Sequence, residues 1–209
     1  MQRFDSLEFG CFYHIYNRGI NGDEIFRDQQ HYERFLRCYE KYIDPIADTF
    51  AWCLLRNHFH FLVRIKDKNQ IKLSSDGPPQ QDILSSPYLS RQFGNFFNSY
   101  AQSFNFRMKR TGSLFQTPFR RKLIDTETYF TTLIFYIHNN PVKHGFCEQM
   151  GDYPWSSYST IISFTPTRLK RDRVIGWFDG RDNFIAFHRG VKEKVDITPL
   201  LFNRYDDQP

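Results

Sequence analysis

Hydrophobic and polar residues alternate in four short stretches of the chain, and three longer stretches repeat apolar residues at helical spacing. The alternating stretches predict β-strands over residues 10–18, 49–55, 58–65 and 119–125. The helical spacing predicts helices over residues 28–43, 88–108 and 126–139. We expect the last helix to stop at Pro141. The resulting order, β-α-β-β-α-β-α, predicts an α+β fold: a ferredoxin-like or RRM-like four-stranded antiparallel sheet with helices on one face.

Two segments lie outside this pattern. Residues 66–87 are polar and broken by glycine and prolines, which predicts a loop that could be disordered without a ligand. Residues 165–209 form a tail in which two short helices are expected to join at Gly180. We therefore predict a main domain over residues 1–160 and a small helical appendage over residues 161–209. The appendage could assist DNA binding or simply pack against the main domain, and we favour the first role.

The composition points to a single globular protein in a reducing compartment. The 209 residues carry a net charge of +5, and 18% of them are aromatic. The four cysteines are scattered without metal-ligand spacing, and neither a signal peptide nor a membrane-length apolar run is visible. We expect a cytoplasmic protein without a membrane partner, as a monomer or a homodimer.

One long stretch of the chain is basic throughout. No acidic residue occurs from Ile83 to Ile124. The cations we select as candidate DNA-binding residues are Arg107, Lys109, Arg110, Arg120, Arg121 and Lys122. Aromatic residues interleave with them at Phe93, Phe96, Phe97, Tyr100, Phe104, Phe106 and Phe115. Cations beside rings are typical of a nucleic-acid surface, because cations bind phosphates and rings stack on bases. A solvated basic helix face explains the same composition.

Residues 57–63 read Asn-His-Phe-His-Phe-Leu-Val and carry the strongest candidate chemistry. Side chains alternate faces along a strand, so His58 and His60 point the same way and Phe59 points the opposite way. Two imidazoles at this spacing can chelate one divalent cation. A pair of ordinary buried histidines is the simpler interpretation of this triplet taken alone.

The helix near residue 130 places a phenol beside an amide. Tyr136 and Asn140 are four residues apart, so they lie on the same face one turn apart. The apolar stripe of this helix, which must face the core, is Phe130, Leu133, Ile134 and Ile137. Pro141 disfavours helical backbone at Asn140, so the geometry there is less secure than at Tyr136.

Five blocks of the sequence, taken in order, resemble the single-tyrosine HUH transposases, and among them the REP-associated tyrosine transposases. The blocks are residues 13–19, 57–63, 112–122, 136–145 and 152–158, so the resemblance covers the chain from about Tyr13 to Tyr158. This sequence departs from the family pattern at two places. Leu55-Arg56 stands where Met-Pro is usual, and Phe135 stands where many relatives carry a basic residue.

The resemblance implies a metal-dependent enzyme that cleaves and rejoins single-stranded or hairpin DNA. The family's catalytic tyrosine falls on Tyr136, and its metal ligands fall on His58, His60 and Asn140. The tyrosine would attack a phosphate and form a covalent 5′-phosphotyrosine. Two imidazoles and one amide oxygen suit Mg²⁺ or Mn²⁺. Zinc is less favoured, because His138 points away from Tyr136 and His144 lies past the proline. Tyr129, Lys143 and a bound water are candidate general bases.

Two other function classes remain open at this point. The first is a nucleic-acid-binding module of the same fold that has lost its chemistry, although all four expected site positions are occupied. The second is a metal hydrolase acting on a small molecule, whose activity would survive loss of Tyr136 but not of His58. The acid-free basic stretch argues against the hydrolase.

Overall fold

The computed structural model describes residues 6–71 and 85–190 and confirms the predicted architecture. Its strands are β1 (Phe12–Arg18), β2 (Ala47–Leu55), β3 (His58–Ile65) and β4 (Arg120–Ile124). Its helices are α1 (Gln29–Tyr42), α2 (Ser86–Met108), α3 (Glu127–Lys143), α4 (Tyr158–Ile162), α5 (Arg171–Gly176) and α6 (Arg181–Gly190). The fold is α+β, with the strands and first three helices in the predicted order. None of the helices in the described part of the chain is long and apolar enough to cross a membrane.

The four strands form one antiparallel sheet in the order β2-β3-β1-β4, which is the ferredoxin-like order. Strands β1 and β3 occupy the centre, and their register pairs Arg18 with His58 and Tyr16 with His60. The hairpin between β2 and β3 turns at Arg56 and Asn57, as the sequence predicts. The central position of β1 and β3 therefore buries the His-Phe-His triplet between neighbouring strands.

One face of the sheet packs against α1 and α2. Phe59 points to this face, opposite to the two histidines, as predicted. Phe35 of α1 contacts it with ring centroids 5.0 Å apart, and Phe96 of α2 lies 4.7 Å from Phe35. Interlocked rings of this kind form a close-packed core. The two helices thus lie on one face, as expected.

The other face of the sheet is covered by α3 and by helices from the tail. Phe50 and Leu62 of the sheet share a buried cluster with Leu133 of α3 and with Val174 and Phe184 of the tail. The sequence pattern did not reveal this second layer. The tail helices contact the sheet directly, which is the packing role we considered second. A role of the tail in DNA binding stays a prediction, as does the domain boundary at residue 160.

Helix α3 continues through Pro141 to Lys143, so the predicted stop at the proline is wrong. A proline in a helix removes one backbone hydrogen bond, here to the carbonyl of Ile137. Asn140 supports the turn before it, because its Nδ2 donates to the Tyr136 carbonyl over 3.0 Å. The backbone N–H of His144 also donates to the Asn140 carbonyl over 3.0 Å. Asn140 therefore keeps helical geometry one turn after Tyr136.

The two irregular segments are described only in part. Most of the predicted loop, residues 72–84, and the last 19 residues of the tail lie outside the described residues. The predicted join of the two tail helices is confirmed, because Gly180 separates α5 from α6 with a φ of 124°. That left-handed backbone favours glycine.

A directed chain of hydrogen bonds ties the tail to α3 and to the sheet. His188 Nδ1 donates to the Phe184 carbonyl over 2.8 Å, so its Nε2 accepts from His138 Nδ1 over 3.1 Å. His138 Nε2 then accepts from the Ser157 hydroxyl over 2.8 Å. Ser157 Oγ in turn accepts from the Trp52 backbone N–H over 2.9 Å. These hydrogen-bond directions require both imidazoles, those of His138 and His188, to be neutral.

The neutral state of His188 predicts a loss of stability in acid. Burial lowers the pKa of His188 from its usual value of 6.5 to about 4. The unfolded chain therefore binds the proton more tightly, and stability falls as the pH drops from 6.5 to about 4. His188 alone should contribute a loss of about 3 kcal/mol in the free energy of unfolding. Urea unfolding between pH 7 and 4 measures it, with His188→Gln as the comparison. Parallel pH profiles for the two proteins would contradict the prediction.

Candidate active site

The fold brings together the four predicted site residues. His58 and His60 project from β3 toward α3, which carries Tyr136 and Asn140. The Tyr136 hydroxyl lies 3.5 Å from Nε2 of His60. All four side chains are buried, with Tyr136 and His58 each 5% exposed. The α3 helix therefore presents its phenol and amide to the histidine pair.

The tautomer of His58 follows from its neighbour. Its Nδ1 lies 2.6 Å from the Asn57 side-chain oxygen, which can only accept, so Nδ1 carries the proton. Nε2 of His58 is consequently a lone-pair nitrogen, and it is buried without a hydrogen-bond partner. The Asn140 Oδ1 atom is also buried without a partner, since that amide uses its nitrogen on the Tyr136 carbonyl. Each such orphaned acceptor costs about 1–3 kcal/mol, and a cation could satisfy both of these.

His14, a histidine of β1, orients His60. Nδ1 of His60 lies 2.9 Å from Nε2 of His14, a fully buried residue, and the two rings are stacked. If His60 donates to His14 through Nδ1, the lone pair of His60 Nε2 faces the Tyr136 hydroxyl. Supporting bonds of this kind hold metal-ligating imidazoles in place.

The electrostatics keep the histidine pair neutral. Burial lowers the pKa of His58 to about 3, and His144 and Arg18 act in the same direction, while the Asn140 side chain raises it. Burial also places the pKa of His60 well below its usual range, with contributions from His14 and His58. A neutral imidazole is the form that binds a cation.

The donor set fits a hard or borderline divalent cation. His58, His60 and Asn140 offer two neutral nitrogens and one amide oxygen, the mixed set expected from the sequence. Within residues 6–71 and 85–190, no three His, Cys, Asp or Glu side chains converge to hold a metal. His144 nevertheless lies closer to His58 than we expected, with the centroids of the two rings 5.2 Å apart. The continuation of α3 past Pro141 brings it there.

Three basic residues surround the site. Arg18 and Arg120 line the cleft that also contains His58 and His60. The Lys143 ammonium lies 5.8 Å from the centre of the Tyr136 ring. Cations around a buried nucleophile favour an anionic ligand such as a phosphate. The cleft itself is narrow, with a volume of about 10 Å³, so a phosphate can enter only if its walls move.

The predicted DNA-binding residues of β4 divide between the two faces of the sheet. Arg120 pairs with Tyr16 and Lys122 pairs with His14, so both lie on the face that carries the site. Arg121 points to the opposite face, where its guanidinium donates to the Ser90 hydroxyl over 3.3 Å.

The predicted cations at the end of α2 lie farther from the site. Arg107 forms an ion pair with Asp28 at 2.9 Å, and Arg110 lies 3.7 Å from Asp23. Lys109 caps the helix in the left-handed conformation and is exposed. DNA contacts by any of the six predicted cations stay predictions.

The aromatic residues of the basic stretch are mostly core residues. Six of the seven rings are buried, and they are Phe93, Phe96, Phe97, Tyr100, Phe104 and Phe115. Phe106 is 89% exposed. The interpretation of these rings as a stacking surface is therefore wrong for all but Phe106, because α2 uses its apolar face to cover the sheet.

Sequence reasoning missed His14, Asn57 and Arg18 as site residues. His14 sits in an alternating strand pattern, and only the sheet register shows that it shares a face with His60. Asn57 directly precedes the histidine triplet, so its position in the sequence could have marked it as a site residue. Arg18 ends β1, and nothing in the linear sequence ties it to His58.

The fold and the site define a class: an α+β protein in which a helix-borne tyrosine faces a strand-borne histidine pair. The chain is 27% identical over 113 residues to a Haemophilus influenzae protein whose name assigns it provisionally to the REP-associated tyrosine transposases. The match covers 53% of this chain and 58% of that relative, so it spans little more than half of each. It confirms the resemblance noted in the sequence.

A solved structure shares the fold. It is described as a REP-associated tyrosine transposase bound to a REP hairpin, and it matches this chain with a TM-score of 0.57 at 16% identity. The match covers 79% of this chain and 88% of that chain. No protein-family model matches the sequence.

Proposed function

We propose that the protein is a metal-dependent endonuclease and strand transferase that acts on single-stranded or hairpin DNA through Tyr136. The single observation that supports it best is the 3.5 Å approach of the Tyr136 hydroxyl to His60 Nε2, beside two orphaned acceptors. A nucleophile next to a potential cation site is the arrangement that phosphoryl transfer needs.

In the proposed reaction, the Tyr136 oxygen attacks the scissile phosphorus. The phenolic proton passes to a general base, for which Tyr129, Lys143 and a bound water are the candidates. The bond from phosphorus to the 3′ oxygen breaks, and that oxygen takes up a proton to become a free 3′-hydroxyl. The 5′-phosphate stays linked to Tyr136, so attack by a 3′-hydroxyl can reverse the step and rejoin strands. Because the covalent link conserves the phosphodiester, no nucleotide cofactor is required.

His58, His60 and Asn140 would hold Mg²⁺ or Mn²⁺. Such an ion supplies Lewis-acid stabilisation of the charge that develops on the phosphate oxygens. Asn57 and His14 fix the two imidazoles, so these neighbours act as positioning residues. Arg18 and Arg120 would contact the phosphate from the cleft walls.

The substrate must reach a buried tyrosine. Because the cleft is too narrow for a phosphate, Arg18 and Arg120 have to swing outward, or α3 has to shift away from β3. Single-stranded DNA suits such a buried nucleophile better than plain duplex, because an unpaired strand can bend to bring one phosphate to it.

The test is the covalent adduct itself. We expect intact-mass spectrometry of the wild-type protein, incubated with hairpin oligonucleotides and Mn²⁺, to show a shift equal to a 5′-linked DNA fragment. Peptide mapping should place the shift on Tyr136. Failure of every such oligonucleotide to form an adduct, with binding retained, would favour the non-catalytic DNA-binding module.

A further inference from the structure

Helix α3 places a third imidazole on the face that carries the site. Tyr136, Asn140 and His144 follow one another at intervals of four residues, so each lies one turn beyond the last on that face. His144 caps the helix, and its backbone N–H donates to the Asn140 carbonyl over 3.0 Å. Because α3 continues through Pro141, the face that holds the phenol and the amide extends to this histidine.

Strand β3 places one histidine near each end of this set. The Tyr136 hydroxyl lies 3.5 Å from His60 Nε2, and the ring centroids of His144 and His58 lie 5.2 Å apart. The ring centroids of His58 and His60 are 5.3 Å apart. His144 is therefore as close to His58 as the other histidine of the triplet is.

The space beside His144 is large enough for a hydrated cation. The residue is partly exposed, but its Nε2 atom is buried. His144 and His58 line a pocket of about 180 Å³, whereas the cleft that contains His58 and His60 has only about 10 Å³. Since one water molecule needs about 10–15 Å³ of cavity, only the pocket has room for an ion with several waters. Glu24 and Arg56 also line this pocket and form an ion pair at 3.2 Å, so their charges nearly cancel.

The two orphaned acceptors of the site belong to neighbours of His144. His58 Nε2 belongs to the adjacent imidazole, and Asn140 Oδ1 belongs to the residue one helical turn earlier. Within residues 6–71 and 85–190, three His, Cys, Asp or Glu side chains do not converge on one point. The ring of His144 must therefore turn about its side-chain bonds to share an ion with these acceptors. A partly exposed side chain makes such a rotation rapidly.

An added imidazole changes which ion the site prefers. Mg²⁺ binds oxygen ligands and holds its waters tightly, whereas imidazole nitrogen suits transition-metal ions. The donor set of His58, His60 and Asn140 admits either Mg²⁺ or Mn²⁺. A further nitrogen donor favours the transition-metal ions, and the affinity of such a site rises from Mn²⁺ to Co²⁺.

We propose that His144 is a further ligand of the cation at the active site, and that it makes the site prefer a transition-metal ion over Mg²⁺. The family resemblance implies only His58, His60 and Asn140 as ligands, so His144 is an addition to that set. The inference rests on the metal site of the proposed function, but not on the proposed reaction with DNA.

The test is metal binding in the absence of DNA. Calorimetric titration gives the dissociation constants of Co²⁺ and of Mg²⁺ for the full chain. His144→Ala should weaken Co²⁺ binding by at least about 10-fold, the smallest loss usual when even a residue that supports a metal ligand is changed. Mg²⁺ binding should change by less than about threefold, because Mg²⁺ gains little from an imidazole. X-ray absorption of the Co²⁺ protein should show one imidazole fewer around the ion in the variant.

Two further variants complete the experiment. Phe146→Ala is the matched control, because Phe146 lines the same pocket but has no lone pair, and it should bind Co²⁺ as the wild type does. His144→Gln keeps a polar side chain of similar length and replaces the nitrogen donor with an amide oxygen, so it should narrow the preference for Co²⁺ over Mg²⁺.

Three outcomes would overturn the proposal: equal Co²⁺ affinity of the wild type and His144→Ala, an unchanged number of imidazoles around the ion, or a wild type that binds neither ion. A missing adduct on Tyr136 would refute the proposed reaction alone, since these titrations contain no DNA.

Discussion

Replacing Tyr136 with phenylalanine is expected to lower the rate of DNA cleavage by at least about 10³-fold, because removal of a covalent nucleophile leaves only weak background reaction. Binding of the same oligonucleotide should change little. The ring stays in place against His60, and the variant loses only the hydroxyl group, which lies 3.5 Å from His60 Nε2. The measurement is cleavage of an end-labelled hairpin oligonucleotide in Mn²⁺, with the dissociation constant measured in parallel.

Tyr42→Phe is the matched control for this experiment. It removes the same hydroxyl group from α1, on the opposite face of the sheet, and should cleave at the wild-type rate. Cleavage by Tyr136→Phe at an undiminished rate would mean that water, not the phenol, attacks the phosphate, as in the hydrolase alternative. Wild-type protein that binds hairpins but never cleaves them would support the binding module.

Mn²⁺ is expected to stabilise the folded protein through the orphaned acceptors of the site. An ion that binds only the native state at 100 times its dissociation constant raises the free energy of unfolding by about 2.7 kcal/mol. His58→Ala and Asn140→Ala should each remove most of this increase, because each loses one of the buried lone pairs that faces no donor. Urea unfolding with and without Mn²⁺ measures the effect without reference to activity.

A histidine outside the site provides the control for the metal experiment. His31 is buried on α1, and His31→Ala can lower the baseline stability but should leave the increase with Mn²⁺ intact. Chelation of divalent ions should also abolish cleavage by the wild-type protein, and Mn²⁺ should restore it. An equal stabilisation of wild type and His58→Ala would place the ion elsewhere.

Much of the fold was predictable because local patterns and the global packing agree. The alternation in β1 and β3 fixed which side chains face α1. The helical stripe of α3 identified one of its buried sides, although Phe135 and His138 outside the stripe are buried as well. The end of α3 was mispredicted because the rule against proline in helices is local. It takes no account of the Asn140 side chain, which supports the preceding turn, or of the burial of the helix against the sheet.

The candidate site was predictable only in its principal residues. The spacing of His58 and His60 placed both on one face of β3, and the spacing of Tyr136 and Asn140 placed both on one face of α3. Periodicity does not say that these two faces meet. The aromatic residues of α2 show a second limit of reasoning from the sequence. Their composition suits a stacking surface, yet the sheet needed them as core.

The sequence by itself determined the α+β order of elements, the shared face of the two histidines and the shared face of the phenol and the amide. These features follow from the periods of strands and helices, which are properties of the local backbone. The tertiary structure alone decided the 3.5 Å approach of Tyr136 to His60 and the support that His60 receives from His14. Each of these depends on strand order and register, which bring together residues that lie dozens of positions apart in the chain.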